Sequence, residues 1–551
     1  HRSPMEIATE LEAFIAKEGP RPAGPSPRAA GANSRPAGLR NAPPPAINTS
    51  SPGFLNFTLA GENLREGLEK LRENFDEEIK DDTYAGKLVI CEFSDPNPFK
   101  VLHVGHLYTS VVGDSISRLF EYAGAKVVRA NFGGDVGLHV AKTMYALMQE
   151  DTEHLEIETI AKCYVKGTQS YEEDEKAREE ITRLNKEIYK INAEDLHDSD
   201  LAQLYWKGRE LSYEYFEKFY ASIGLKFDKY YPESTVAALG LSTVKKQLAA
   251  GVYEESNGAV IFDGEKFGLH TRVFINKEGV PTYEAKDVGL IFTKWEDYHF
   301  DKSVVITGNE QLDYMRVVLK SVEQYAPELV ERTSHLTHGL VKLPGNEKMS
   351  SRKGNFLRAV DVLDMVREAL KTEYNSEDEK ISLAATKYAF IKYKMGGNII
   401  FDVGESVKMT GNSGPYLLYS AVRAKKILQA AVDASHSGPR PAGPSPRAAG
   451  ANSRAAALRN APSESISPAE RNLAVELLKY KGVLSGAVGE MAPHKVATYL
   501  YELAQEFSRF YENCPVVGSE NEAERVGLVK VYLDVMTHGL NILGMEIPEE
   551  M

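Results

Sequence analysis

The sequence predicts an α/β protein built on a doubly wound parallel sheet, with a helical insertion, an all-helical final third and a reduced α+β segment in front. Three observations carry this. Two short apolar runs, "KLVICEF" (87–93) and "KVVRANF" (126–132), flank a segment of helical periodicity and make a βαβ unit. Residues about 140–230 are charged and helical in pattern, as suits an insertion between two halves of a sheet. From about residue 400 the pattern is helical to the end.

The first run is short, apolar and rich in β-formers, as a buried parallel strand should be. A turn-rich "SDPNP" follows, then "HVGHLYTSVVGDSISRLFEYAG". There Leu107, Val111, Val112, Ser115, Leu119 and Phe120 recur near a 3.6 period, and Gly124 supplies a C-terminal stop. "KSVVIT" (302–307) reads as a late strand, followed by a loop and helix in "GNEQLDYMRVVLKSVEQY".

At 551 residues the chain exceeds one ordinary core, so two to four domains are expected. Charged residues at 26% and hydrophobic residues at 42% describe a globular chain rather than a disordered or membrane one. No apolar stretch reaches the ~18 residues a membrane span needs. No charged n-region leads into an apolar h-region, so secretion is not indicated. Cys91, Cys163 and Cys514 are odd in number and scattered, which fits a reducing cytoplasm. A net charge of −14 argues against nucleic-acid binding over the whole surface but leaves room for local basic patches. The first residue is His1, and Met5 opens a helical phrase, "MEIATELEAFIAKEG"; residues 1–4 carry no weight.

An internal repeat stands out. "GPRPAGPSPRAAGANSRPAGLRNAP" at 19–43 recurs as "GPRPAGPSPRAAGANSRAAALRNAP" at 438–462, with only Pro36/Ala455 and Gly38/Ala457 differing. Copies so far apart cannot stack as solenoid repeats do. Their Pro, Gly, Ala, Ser and Arg content offers little to a core, so surface loops are expected. Arg21, Arg28, Arg35 and Arg40 could form a basic arm, but an inserted repetitive sequence is the simpler reading.

"HVGH" (103–106) sits at the predicted helix start, where free N–H groups suit phosphate. Gly105 removes a side chain, allowing a ring or phosphate close to the backbone. His103 and His106 could donate hydrogen bonds to a phosphate chain. Read singly, each is an ordinary helix-start or core histidine. A metal site is not expected, since no acid or cysteine cluster nearby completes the ligand set.

A second stretch shifts the balance. In "GNEKMSSRKGNF" (345–356), Lys348, Arg352 and Lys353 lie with two hydroxyls between Gly345 and Gly354. A basic, glycine-flanked loop is what closing over a triphosphate requires, although alone it could be a solvated turn.

In that order and on that α/β frame, the two motifs resemble the signature pair of class I aminoacyl-tRNA synthetases. "SDPNPFKVLHVGHL", "VVRANFGGDVG", "PTYEAKDVGLIFTKW" and "DKSVVITGNEQLDYM" resemble the arginyl-tRNA synthetase family in particular. So do "FDVGESVKMTGNSGPYLLYSAVRAKKIL", "HKVATYLYELAQEFSRFYENCPV" and the ending "GMEIPEEM". The resemblance covers nearly all of 50–551 except the second insert. It implies a Rossmann-like catalytic domain over 86–400 and a helical anticodon-binding domain over 401–551. It also implies a reduced N-terminal tRNA-contacting domain over 1–85.

The resemblance further implies ATP, taken with Mg²⁺, L-arginine and tRNA(Arg) as substrates, and a monomer. Lys100, His103, Gly105, His106, Lys348 and Met349 would bind ATP. His103, His106, Lys348, Ser350 and Lys353 would carry the chemistry. Asn97, Glu233, Tyr283, Asp287 and Gln311 would bind arginine, with no resident metal. A guanidinium needs oriented carboxylates and amides, and Tyr283 and Asp287 share a face if their segment is helical. The implied reaction is in-line attack of the arginine carboxylate on the α-phosphorus of ATP, followed by transfer to the terminal tRNA ribose. Arginine activation that requires bound tRNA is part of the same expectation.

Three positions depart from the family pattern. Ser351 replaces a second lysine, for which Lys100 or Lys353 would compensate; Val136 replaces a tryptophan and Tyr108 an arginine. The rival readings are a class I lysyl enzyme, a non-catalytic tRNA-binding paralogue and an adenylyltransferase acting on a small metabolite. The Tyr283–Asp287–Gln311 set, the intact motifs and the helical C-terminal third weigh against each in turn.

Overall fold

The computed structural model describes residues 46–51, 54–58, 60–151, 154–345, 357–436 and 466–551. The two repeat copies and the basic motif with Lys348, Met349, Ser350, Ser351 and Lys353 lie outside the described residues. These residues divide into two compact units. The smaller comprises the described parts of 1–79, 423–481 and 502–536. The larger comprises 80–422, 482–501 and 537–551.

The smaller unit opens with strands β1 (Ala46–Ser50) and β2 (Phe54–Thr58), an antiparallel hairpin, followed by helices α1 (Gly61–Glu73) and α2 (Phe75–Ile79). Leu64 and Leu71 are the buried stripe of α1.

In the larger unit, β3 (Leu88–Glu92) leads through an irregular segment to α3 (Val104–Tyr122), and β4 (Lys126–Gly133) completes the expected βαβ. Gly124 takes the left-handed conformation (φ +87°) that the turn off α3 demands. Four helices follow as the predicted insertion: α4 (Leu138–Leu147), α5 (Ile157–Glu173), α6 (Glu175–Ala193) and α7 (Asp200–Ser222). They share a core of Val140, Met144, Ile160, Ile181, Leu184 and Ile188.

The chain returns to the sheet at β5 (Lys229–Pro232), passes through α8 (Glu233–Ala249), and forms a three-stranded antiparallel sheet from β6 (Glu254–Ser256), β7 (Ala259–Phe262) and β8 (Arg272–Ile275). Helix α9 (Tyr283–Tyr298), β9 (Lys302–Gly308), α10 (Leu312–Glu323), α11 (Pro327–Glu331) and β10 (Thr333–His338) follow. The main sheet runs β10-β9-β3-β4-β5, parallel throughout. By order of appearance that is 5-4-1-2-3, so the chain reverses direction across the sheet between β3 and β9, where such sheets open a crevice at the strands' carboxyl ends.

A short parallel pair, β11 (Val341–Lys342) with β12 (Ile399–Ile400), brackets α12 (Ala359–Tyr374) and α13 (Glu379–Ile391). The remainder is helical: α14 (Val403–Ser406), α15 (Gly414–His436), α16 (Pro468–Leu478), α17 (Tyr480–Glu490), α18 (Pro493–Asn513) and α19 (Glu522–Ile542). The sequence reading missed β5, β10 and the small antiparallel sheet. Their segments, such as "KYYP" and "EES", are too short and too polar to announce a strand without their neighbours.

Helices α8 and α9 touch backbone to backbone. A Cβ on Gly240 would lie 1.9 Å from the Ala285 carbonyl oxygen, and one on Gly289 2.2 Å from that of Val236. These two helices carry Glu233, Tyr283 and Asp287, so the glycine contact sets the distance between them.

Candidate active site

The segment between β3 and α3 is strained. Ser94 (φ +73°), Asp95 (φ +49°) and Phe99 (φ +66°) all take left-handed backbone, a cost that marks functional segments. Hydrogen bonds hold it there: Asp95 Oδ1 accepts from the Phe132 amide at 2.8 Å, and Asn97 Oδ1 from Gly134 at 2.7 Å.

His103 is the N-cap of α3, and its Nδ1 accepts from the Gly105 amide at 3.1 Å. His106 reaches back, its Nδ1 accepting from the His103 amide at 3.1 Å. This reciprocal cap stacks the rings with centroids 3.7 Å apart. Because each Nδ1 accepts, each neutral ring carries its proton on Nε2 and can donate from there. Burial, and then the charge of Lys100, holds His103 down at about 4; burial and His103 itself hold His106 well below the ordinary histidine value. The rings therefore meet a ligand as neutral donors. Gly105 is required for a reason the sequence did not show. A Cβ there would lie 2.9 Å from Cε1 and Nδ1 of His103, so the ring that approaches the backbone is the motif's own histidine.

Lys100 Nζ lies 4.7 Å from the ring centre of Tyr164 on α5. With Asn97, His103 and His106 these residues line a cavity of about 100 Å³. The chain leaving the basic motif is tied to this place: Val104 donates to the Leu357 carbonyl and Ala359 to that of Leu102, both at 2.9 Å. His338, at the end of β10, is held below the ordinary histidine value by burial, and its charge would act on both motif histidines. Its ring packs perpendicular to that of buried Tyr108, whose hydroxyl has no hydrogen-bond partner among the described residues. Val136 is buried in the insertion's core with Phe99.

Four carboxylates gather at the crevice with two lysines. Glu92, the last residue of β3, pairs with Lys294 at 2.7 Å, and Glu233, the first of α8, with Lys286 at 2.7 Å; all four side chains are buried. Lys286 Nζ also donates to the Tyr189 hydroxyl of α6 at 3.0 Å. Burial works against the Lys286 charge, but Glu233 and Tyr189 outweigh it and keep the ammonium protonated. Asp287 has no cation partner among the described residues. It accepts a hydrogen bond from the Tyr314 hydroxyl, and burial, only partly offset by that bond, pushes it up to about 7. Asp95 is raised by burial and then by Glu92. Tyr283 is exposed on the same face of α9 as Asp287, and Gln311 is exposed at the N-cap of α10.

Asn97, Lys100, Gly105, His103 and His106 therefore converge on one wall of the crevice. Asn97 also approaches Glu233 across Gly134, whose added Cβ would lie 2.9 and 3.0 Å from their oxygens. Sequence reasoning did not find Glu92, Asp95, Lys286, Lys294, Tyr189, Tyr314 or His338. The lysines had a signal: Lys286 and Lys294 lie in the apolar stripe of α9 with Ala285, Val288 and Ile291, where a charge is buried only with a partner.

Two family models match the chain: "tRNA synthetases class I (R), catalytic domain" over residues 73–402 and "DALR anticodon binding domain" over 417–551. The chain is 29% identical over 526 residues to an arginine–tRNA ligase of Treponema denticola, covering 90% of this chain and 85% of that one. It is 28% identical over 540 residues to one of Porphyromonas gingivalis, covering 91% and 86%. In fold it is similar to the arginyl-tRNA synthetase of Thermus thermophilus, with a TM-score of 0.72 and 22% identity over 100% of this chain and 92% of that one.

Proposed function

The chain belongs to the arginine-type class I tRNA synthetase family, and from that premise we propose that it is an arginine–tRNA ligase using ATP, arginine and tRNA(Arg). The observation that carries the arginine assignment is Asp287: a half-buried carboxylate without a cation partner among the described residues, beside Glu92 and Glu233, whose own ion pairs are with Lys294 and Lys286. A guanidinium supplies the missing charge in planar form and with paired donors.

ATP, as its Mg²⁺ complex, would lie along the wall formed by Lys100, His103, Gly105 and His106, with both Nε2–H groups donating to its oxygens. The basic motif, with Lys348, Met349, Ser350 and Lys353, would close over the pyrophosphate. Asn97, Glu233, Tyr283, Asp287 and Gln311 would hold arginine so that its carboxylate attacks the α-phosphorus in line, releasing pyrophosphate. The terminal ribose of tRNA then takes the arginyl group from the adenylate. The helical segment after 401 would read the anticodon and residues before 86 would contact tRNA elsewhere. The buried, unbridged cysteines fit a cytoplasmic protein, and the monomer is an expectation from the family alone.

ATP–pyrophosphate exchange with arginine and Mg²⁺, with and without tRNA(Arg) and with lysine as control, tests this. Exchange with arginine only, and only with tRNA, is the expected result. Silence under every condition from folded protein would favour the non-catalytic paralogue.

A further inference from the structure

Lys286 stands where a substrate cation is expected. Its Nζ lies 2.7 Å from Glu233 Oε2 and 3.0 Å from the Tyr189 hydroxyl. The rings of Tyr189 and Tyr283 lie 5.4 and 5.1 Å away. With only 3% of the lysine side chain and 6% of the glutamate exposed, this is a built cage rather than a surface pair. The other carboxylate oxygen, Oε1, faces Gly134 and Asn97. The cage is assembled from three places: the first turn of α8, the first turn of α9, and α6 of the insertion.

We infer that Lys286 is a positioning residue: its ammonium, held by Tyr189, fixes the Glu233 carboxylate toward Asn97 and leaves Asp287 as the carboxylate that reads the substrate's guanidinium. The inference rests on the reading of this crevice as an arginine pocket and adds a division of labour within it. Glu233 is neutralised by the chain's own cation, so it orients rather than attracts. Asp287, supported by the neutral donor Tyr314, has no cation partner among the described residues. A second consequence is that the insertion takes part in the site, because the Tyr189 hydroxyl connects α6 to the pocket as Tyr164 connects α5 to Lys100.

The test is arginine-dependent exchange, resolved into KM and kcat, for wild type, K286M, K286R and Y189F, with a thermal midpoint for each. The expected result is a rise of ~10-fold or more in KM for arginine in K286M with kcat little changed, since the interaction serves binding. K286R should recover part of this, and Y189F should shift KM in the same direction by less. KM for ATP should stay near the wild-type value. An unchanged arginine KM in K286M with only a lower midpoint would overturn the inference and make the pair structural. A lower KM would overturn it too, marking Lys286 as a competitor for Glu233. If K286M does not fold, Y189F decides alone: raised KM at the wild-type midpoint supports the inference, and unchanged KM sinks it. Wild type silent with arginine would overturn the pocket reading and the inference with it; wild type active with K286M unaltered overturns the inference alone.

Discussion

The rings of His103 and His106 stack with centroids 3.7 Å apart, and each Nδ1 accepts a backbone amide of the turn that carries them. One arrangement thus caps the helix and points two neutral donors at the crevice. Gly105→Ala separates these roles. Alanine suits a helix, but its Cβ must displace the His103 ring. Exchange should fall by ~10-fold or more while the thermal midpoint stays close to wild type. An active variant would remove His103 from the proposed machinery.

Histidine ionisation should leave no mark on kcat near neutrality. Burial holds His103 at about 4 and His139 at about 3, so both stay neutral through the physiological range. Their stability contribution is complete above the ordinary histidine value and is lost as pH falls from there toward about 4 and 3. Acid unfolding monitored by fluorescence should begin below ~6, with kcat at saturating arginine flat between about pH 6 and 8.

Asp287 predicts the opposite signature in KM. Its carboxyl is raised to about 7, so below that pH a neutral acid faces the guanidinium. KM for arginine should drop ~10-fold per pH unit up to about 7 and then level. The raised group favours the folded state at low pH and loses that contribution as pH rises through about 7; bound arginine should therefore stabilise the protein more at pH 8 than at pH 6. Tyr314→Phe removes a bond that lowers the Asp287 value, so the KM midpoint should move to higher pH. A midpoint that stays put would exclude the Tyr314–Asp287 bond.

Lys294→Met should destabilise by ~3–5 kcal/mol in urea, because it leaves Glu92 buried beside Asp95 and Asp287 with no cation. The double variant Glu92→Met/Lys294→Met should recover much of that loss. Equal instability of single and double variants would show that packing, not charge, sets the cost.

Gly289→Ala should raise KM for arginine more than KM for ATP. Its Cβ would meet the Val236 carbonyl and the Gly240 amide, forcing α8 and α9 apart with Glu233 and Asp287 on them. Overpacking of this kind costs ~1–3 kcal/mol, measurable by chemical denaturation. Equal effects on both substrates would mean that the displacement spreads to α3.

The βαβ unit and the insertion were legible because apolar period announces a buried strand or a helix face wherever the run is long enough. "KLVICEF" and "KVVRANF" lie on β3 and β4, and the charged stretch after them contains α4 to α7. The histidine motif was legible as a helix start because a cap is a local event. Burial of Glu92 and Lys294 was not legible, since an acid or a lysine in a string carries no record of what surrounds it. The same holds for Tyr189, which lies 97 residues from the lysine it meets.

The sequence by itself determined the class of sheet, the helix start at His103, and the residue types available to bind a phosphate chain and a cation. These follow from periodicity, capping and side-chain chemistry, which act over a few residues. Only the tertiary structure decided which acids already have cations. It paired Glu233 with Lys286 and Glu92 with Lys294, left Asp287 with a tyrosine, and brought Leu357 and Ala359 back onto Val104 and Leu102, on either side of His103. Charge pairing depends on distance and burial, and both are set by how helices and strands far apart in the chain pack together.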